Sequence, residues 1–144
     1  MTKVEIPLRA IIEAPPPGVR WALQRSKGDL SDLAAPDQSP PQRLVFDFTV
    51  QAERGPDGGV RLLGPAVQGP PSGRFFYLNS GTYAGDAASP YGRRAKVSLN
   101  GLTWALIDSL GAGQVLQVRI AGAGKDGGPA CASVPLLAPG WTIA

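Results

Sequence analysis

The chain has 144 residues, the usual size of one domain, and its 19 glycines and 15 prolines predict many tight turns and few long helices. The 14 basic and 11 acidic side chains give a formal charge of +3, and only Arg93, Arg94 and Lys96 are clustered, so charge alone argues against a nucleic-acid partner. Because histidine is absent and Cys131 is the single cysteine, a histidine or thiolate metal cage within one chain is excluded, as is a Ser-His-Asp or Cys-His catalytic site.

We expect a cytoplasmic protein with no cofactor, no metal site and no membrane partner. A single cysteine cannot form an internal disulfide, and no cationic start followed by a long apolar run points to secretion. No stretch approaches the roughly 20 consecutive apolar residues that a membrane helix requires.

Two strands are predicted at the start of the chain. From Lys3 to Glu13 the apolar residues take every even position, and Val19 to Gln24 alternates in the same way after a proline-rich turn. We expect these two segments to pair as a hairpin. Residues 26–42 are polar and rich in proline, without a period, and are interpreted as a long loop.

The middle of the chain contains the strongest strand signal, which runs from Leu44 to Glu53. Asp57-Gly58-Gly59 predicts a turn into a further strand over 60–63. Residues 64–73 carry three prolines, which cannot donate to a ladder, so they are predicted to connect elements. Further strands are predicted over 74–79, 93–99, 114–120 and 130–137.

One short helix is predicted from Thr103 to Leu110. Thr103 can cap its first turn, Leu102 and Ile107 have the spacing of a hydrophobic staple, and Gly111 can end it. The pattern as a whole predicts a single all-β domain over residues 1–144, either an antiparallel barrel of about eight strands or a barrel-like sandwich.

The side chains best suited to ligand binding fall in one third of the chain, where hydroxyls and glycines precede two arginines. Guanidinium groups can bind phosphate or carboxylate bidentately. The alternative interpretation is a hairpin whose glycines and hydroxyls serve its own turn. The predicted ligand-binding residues are Arg74, Tyr77, Asn79, Ser80, Thr82, Tyr83, Arg93 and Arg94.

Three consecutive aromatic residues, Phe75 to Tyr77, must point to both faces of their strand. One face therefore carries aromatic surface that could line a ligand site or a contact between subunits, unless the strand is buried on both faces. Because only 17% of residues are charged, we also expect a two-fold homodimer. Cys131 stands among small residues and is interpreted as a packed core cysteine rather than a nucleophile.

Four stretches of the chain carry a family resemblance. GPPSGRFFYLNSGTYAG (69–85), RRAKVSLNGLTWALI (93–107), KDGGPACASV (125–134) and EAPPPGVRWALQ (13–24) resemble an uncharacterised family of small bacterial proteins, a domain of unknown function. The resemblance implies no activity, substrate or catalytic residue.

The function expected from these patterns is the binding of a small anionic or polar organic ligand. Two alternatives stay open. One is a histidine-free, metal-independent enzyme of the isomerase, cyclase or lyase type in the same cavity, with Tyr77 or Tyr83 as proton donor and the arginines stabilising negative charge. The other is a protein-interaction module whose aromatic strand contacts a partner.

Overall fold

The computed structural model of the protein describes residues 3–24, 43–64, 67–69, 73–82 and 93–144. The predicted loop over 26–42 and the predicted site residue Tyr83 lie outside these ranges. The described elements, in chain order, are β1 (Lys3–Glu13), β2 (Val19–Gln24), β3 (Arg43–Arg54), β4 (Val60–Gly64), β5 (Val67–Gly69), β6 (Gly73–Thr82), β7 (Arg93–Ser98), α1 (Trp104–Asp108), β8 (Leu116–Ala121), β9 (Ala132–Ser133) and β10 (Thr142–Ile143).

The strands form two sheets that face each other. The first sheet has the order β10-β8-β1-β3-β4, and the second has the order β2-β6-β7-β9, with β5 also paired to β6. The fold is thus the barrel-like sandwich and not the closed barrel, and the predicted all-β class with one short helix is confirmed for the described residues.

The sequence predicts antiparallel pairing, but the observed pairing is mixed. β1 pairs with β8 in parallel, and so does β7 with β9. A parallel pair needs a long crossover connection. Here each connection passes through strands of the opposite sheet, because β2 to β7 separate β1 from β8, and β8 separates β7 from β9. Residue periodicity carries no information about such crossovers.

The predicted hairpin between β1 and β2 is wrong. β1 pairs along its whole length with β3, from Lys3 opposite Glu53 to Glu13 opposite Arg43, and its other edge is taken by β8. β2 instead pairs with β6 in the second sheet. The chain changes sheets over residues 14–18, where Ala14 has a φ of 48° and Gly18 a φ of 75°. Alternation defines which face of a strand is buried but not which strand lies beside it.

The core lies between the two sheets and is built from the inward residues of each strand. Phe48 of the first sheet meets Phe76 of the second edge to face, with ring centroids 5.0 Å apart. Large side chains with less than 2% exposure stand on both sheets, and each contributes about 1.5–3 kcal/mol by leaving water. They include Ile6, Leu8, Ile12, Trp21, Leu23, Phe76, Leu78 and Ile120.

Helix α1 contributes Trp104 and Ile107 to the core and begins where the sequence predicts. Leu106 donates its backbone N–H to the Thr103 hydroxyl at 3.3 Å, so Thr103 is the N-cap. Leu102 and Ile107 are both buried, as a hydrophobic staple requires. Across the described ranges, no helix combines the length and apolar character needed to span a membrane.

Candidate functional site

Strand β6 divides the predicted site residues between two faces. Phe76 and Leu78 belong to the core, so Tyr77 and Asn79 point outward. Ser80 falls on the inner face and is fully buried, and within the described part of the chain its hydroxyl has no hydrogen-bond partner. A ligand on the outer face therefore cannot contact Ser80.

Strand β7 divides the two predicted arginines in the same way. Ala95 and Val97 are in the core, so Arg94 and Lys96 share the outer face. Arg94 is registered opposite Asn79, whereas Arg93 is opposite the inward-facing Ser80. The outer face of the second sheet thus unites three predicted residues, Tyr77, Asn79 and Arg94.

Hydrogen bonds and ring contacts hold these side chains in a defined arrangement with one residue of β2. The Cζ atom of Arg94 lies 4.4 Å from the centroid of the Tyr77 ring. Arg94 Nε donates to Asn79 Oδ1 at 3.3 Å, and Asn79 Nδ2 donates to Gln24 Oε1 at 3.0 Å. Gln24 is fully buried and Arg94 is exposed, so the chain of bonds leads from the interior to the surface. We call Gln24, Tyr77, Asn79 and Arg94 the Arg94 cluster.

A second cation extends the Arg94 cluster along β7. Lys96 Nζ lies 5.0 Å from the centroid of the Phe75 ring, and the Phe75 and Tyr77 rings meet edge to face at 5.1 Å. Each of the two outward cations therefore lies over an aromatic ring, and the two rings contact each other.

The outer face of the second sheet differs in charge from that of the first. β2, β6 and β7 contain no acidic residue, and within the described residues neither Arg94 nor Lys96 has a carboxylate within 4.0 Å. On the first sheet three arginines are paired with acids. Those pairs are Arg9 with Asp47 at 2.7 Å, Arg61 with Glu53 at 3.1 Å and Arg119 with Glu13 at 3.9 Å.

Arg93, the first residue of β7, has structural partners of its own. Its guanidinium donates to the Asp126 carboxylate at 2.9 Å and to the Pro129 carbonyl at 2.9 Å, which ties β7 to the turn around Gly128. The hydrogen bond with Arg93 lowers the pKa of Asp126, and the Gly128 N–H lowers it further. The same pair raises the pKa of Arg93. These contacts engage Arg93 away from the Arg94 cluster.

The remaining predicted residues lie elsewhere or are not described. Arg74 lines a cavity of about 450 Å³ at the other end of β6, together with Arg61, Leu99 and the turn after β3. Its backbone N–H donates to Asn100 Oδ1 at 3.1 Å. Thr82 ends β6, and its side chain is outside the described part of the chain.

Cys131 is exposed, so its interpretation as a packed core residue is wrong. The predicted strand over 130–137 is reduced to β9, and Ala132 has a φ of 62°, which breaks the alternation. Ala130 takes the buried position with 3% exposure, and Cys131 lines a second cavity of about 460 Å³ whose other residues are mostly apolar. The small neighbours Ala130, Ala132 and Ser133 suggested that Cys131 is buried. The backbone conformation at Ala132 instead leaves Cys131 exposed.

Gln24 is the member of the Arg94 cluster that the sequence did not predict. It stands at the end of β2 on the outward side, opposite Tyr77 in the second sheet. From the sequence pattern, a polar residue at the end of an alternating strand is expected to be exposed. Its place beside Tyr77 follows from the pairing of β2 with β6. The prediction that β2 pairs with β1 did not include that pairing.

The Arg94 cluster contains a guanidinium, which is a side-chain group suited to anions. A guanidinium with fixed orientation presents parallel N–H groups to a carboxylate or phosphate. Within the described residues, no three His, Cys, Asp or Glu side chains lie together as metal ligands would.

The comparisons with known proteins give a family but no activity. No curated protein matches the chain, and no solved structure matches it. A family of unknown function, DUF5990, matches residues 6–144, which is nearly the whole chain. The predicted resemblance to a domain of unknown function is thereby confirmed, and the chain belongs to the family DUF5990.

Proposed function

We propose that the protein binds a small organic anion on the outer face of its second sheet, with Arg94 as the principal contact. The observation that carries this proposal is the orientation of the Arg94 guanidinium. Its Cζ atom lies 4.4 Å from the Tyr77 ring centroid, and its Nε donates to Asn79 Oδ1. In the part of the chain that the structure describes, neither Nη group of Arg94 is hydrogen-bonded, and the two groups match the spacing of two carboxylate or phosphate oxygens.

Preorganisation supports the proposal. A free arginine side chain loses about 2 kcal/mol of rotamer entropy when a ligand fixes it. The ring of Tyr77, itself only 6% exposed, and the Asn79 amide already restrict Arg94. Less entropy is therefore lost on binding than for an unrestrained surface arginine.

A comparison with Arg54 supports it further. The Cζ atom of Arg54 lies 4.6 Å from the centroid of the Trp104 ring, an arrangement like that of Arg94 over Tyr77. Arg54, however, donates to the Asp108 carboxylate at 3.3 Å. Within the described ranges, Arg54 and Arg94 thus each lie over an aromatic ring; Arg54 already has an anionic partner, while no described carboxylate lies within 4.0 Å of Arg94.

The test is a thermal-shift screen followed by calorimetry, with phosphate, phosphorylated metabolites and organic acids as probes. A ligand at a hundred times its Kd stabilises the folded state by about 2.7 kcal/mol, which a melting curve resolves. We expect Arg94→Ala to abolish the shift and Arg94→Lys to weaken it, because lysine keeps the charge but not the bidentate geometry.

The matched control is Arg54→Ala, which removes the other ring-stacked arginine. This variant should bind the probe like the wild type. If Arg94→Ala binds every active probe as tightly as the wild type does, the proposed site is wrong. Turnover of a bound probe would favour the enzyme alternative, in which Tyr77 or Tyr83 is a proton donor.

The homodimer and the cytoplasmic location remain predictions from the sequence. Light scattering tests the first: a mass of 14.9 kDa at all working concentrations would identify a monomer and contradict it.

A further inference from the structure

We infer that the anion bound by this site carries two negative groups, as a small dicarboxylate does. The inference rests on the proposed function and concerns the second cation, Lys96. Arg94 and Lys96 are two residues apart on β7 and share one face. Since a strand rises about 3.3 Å per residue, their Cα atoms are roughly 7 Å apart.

The aromatic rings fix the direction of both cations. Arg94 leans over Tyr77 and Lys96 over Phe75, at 4.4 and 5.0 Å from the ring centroids. The centroids of these two rings are 5.1 Å apart. Both cations are consequently directed along the same pair of rings and held near each other on one surface.

Two neighbouring like charges repel each other, and a single monoanion compensates only one of them. A ligand with two anionic groups pairs with both. The spacing of the two cations suits carboxylates joined by about two or three methylene groups, given the strand rise of about 3.3 Å per residue. The two ends of the ligand are not equivalent, because Arg94 offers a planar fork and Lys96 a point charge.

The absence of acid on β2, β6 and β7 fits this class of ligand. A carboxylate side chain on any outward position of these strands would compete with the second anionic group. On the first sheet Arg9, Arg61 and Arg119 pair with Asp47, Glu53 and Glu13. The second sheet therefore offers two neighbouring cations, Arg94 and Lys96, to one external dianion.

The experiment compares ligands of equal carbon number that differ in one carboxylate. Succinate is paired with butyrate and glutarate with pentanoate, and Kd values are measured by calorimetry on the whole chain. We expect the better dicarboxylate to bind the wild type at least about tenfold more tightly than its monocarboxylate, the factor that one additional charge-assisted contact gives.

Two lysine variants make the result specific. Lys96→Gln should reduce the ratio between dicarboxylate and monocarboxylate to about one, since it removes the second contact. Lys125→Gln, which removes an exposed lysine of the turn after β8, should leave the ratio unchanged.

The two proposals fail in different ways. One set of results overturns the dianion inference and leaves the proposed function standing. In that set the dicarboxylate and the monocarboxylate bind equally, Lys96→Gln has no effect on either, and Arg94→Ala still abolishes binding. If Arg94→Ala leaves all binding unchanged, the proposed function itself fails. A dicarboxylate preference that persists in Lys96→Gln would also overturn the inference, because it would assign the second anionic group to another residue.

Discussion

Asn79 connects a buried side chain to an exposed one: its amide nitrogen donates to Gln24 Oε1 at 3.0 Å, and its amide oxygen accepts from Arg94 Nε at 3.3 Å. Gln24 has no exposed surface and Asn79 has 5%. A buried amide pair is stable only if its polar atoms are hydrogen-bonded, because a buried polar group without a partner has lost its hydrogen bonds to water. The position of Arg94 is therefore coupled to polar groups inside the protein.

The first prediction concerns that amide pair. Asn79→Leu removes the donor to Gln24 Oε1 and should lower the free energy of unfolding by about 1–3 kcal/mol. Gln24→Leu should have an effect of similar size for the same reason. The double variant should be more stable than the sum of the two single changes implies, because both partners are then apolar. Urea unfolding of the four proteins measures the coupling, and simple additivity would contradict it.

The second prediction concerns the close approach of Gly122 to the end of β1. A Cβ at position 122 would lie 2.7 Å from Pro15 Cα and 2.9 Å from Ile12 Cγ2, so backbone would have to move. Gly122→Ala should lower the free energy of unfolding by about 1–3 kcal/mol.

Gly124→Ala is the matched control for this change. Its Cβ would meet Asp126 Oδ1 at 3.3 Å and the Pro129 carbonyl oxygen at 3.5 Å, so it would come closer than 3.3 Å to neither. The control should be clearly the more stable of the two in urea unfolding. Equal stability of the two variants would show that residues 12–15 are not packed against Gly122.

The positions of the strands along the chain were largely predictable, but the partner beside each strand was not. β1 and β3 have the predicted bounds to within one residue, because one buried and one exposed face produce a clear two-residue period. The partner of each strand depends on crossovers between the sheets, which leave no local signal. The two-residue strand β10 was missed altogether, since Thr142 and Ile143 are too few to show a period.

The site was predictable in part. Tyr77, Asn79 and Arg94 share one face, as strand alternation allows once the register of β6 with β7 is known. The predicted strand ended at residue 79, but β6 continues to Thr82, so alternation turns the Ser80 side chain inward. Adjacent residues such as Arg93 and Arg94 point to opposite faces of a strand and cannot both contact one outward ligand.

The third prediction uses the exposure of Cys131. A thiol-reactive dye should label one thiol per native chain, at a rate close to that of the unfolded protein, because the side chain is accessible. Moving the thiol by one residue in the double variant Ala130→Cys/Cys131→Ala places it at a position with 3% exposure, where it should react slowly. A wild-type thiol that reacts only after unfolding would contradict the described backbone at Ala132.

The last prediction concerns pH. The hydrogen bond from Arg93 at 2.9 Å and the N–H of Gly128 at 3.0 Å hold the pKa of Asp126 below its ordinary value of 3.8. The folded state therefore keeps this carboxylate ionised at a lower pH than the unfolded state does. Its contribution to stability is present above the unfolded pKa and is lost as the pH falls through the folded pKa.

Carboxyl NMR titration should accordingly give a pKa for Asp126 below 3.8 in the wild type and a higher one in Arg93→Gln. Arg9→Gln is the control, since Arg9 forms its ion pair with Asp47 on the first sheet and should leave Asp126 unchanged. In urea unfolding, the advantage of the wild type over Asp126→Asn should shrink as the pH falls below about 4. An Asp126 pKa that is the same with and without Arg93 would show that the ion pair does not form in solution, and the turn around Gly128 would then lose its connection to β7.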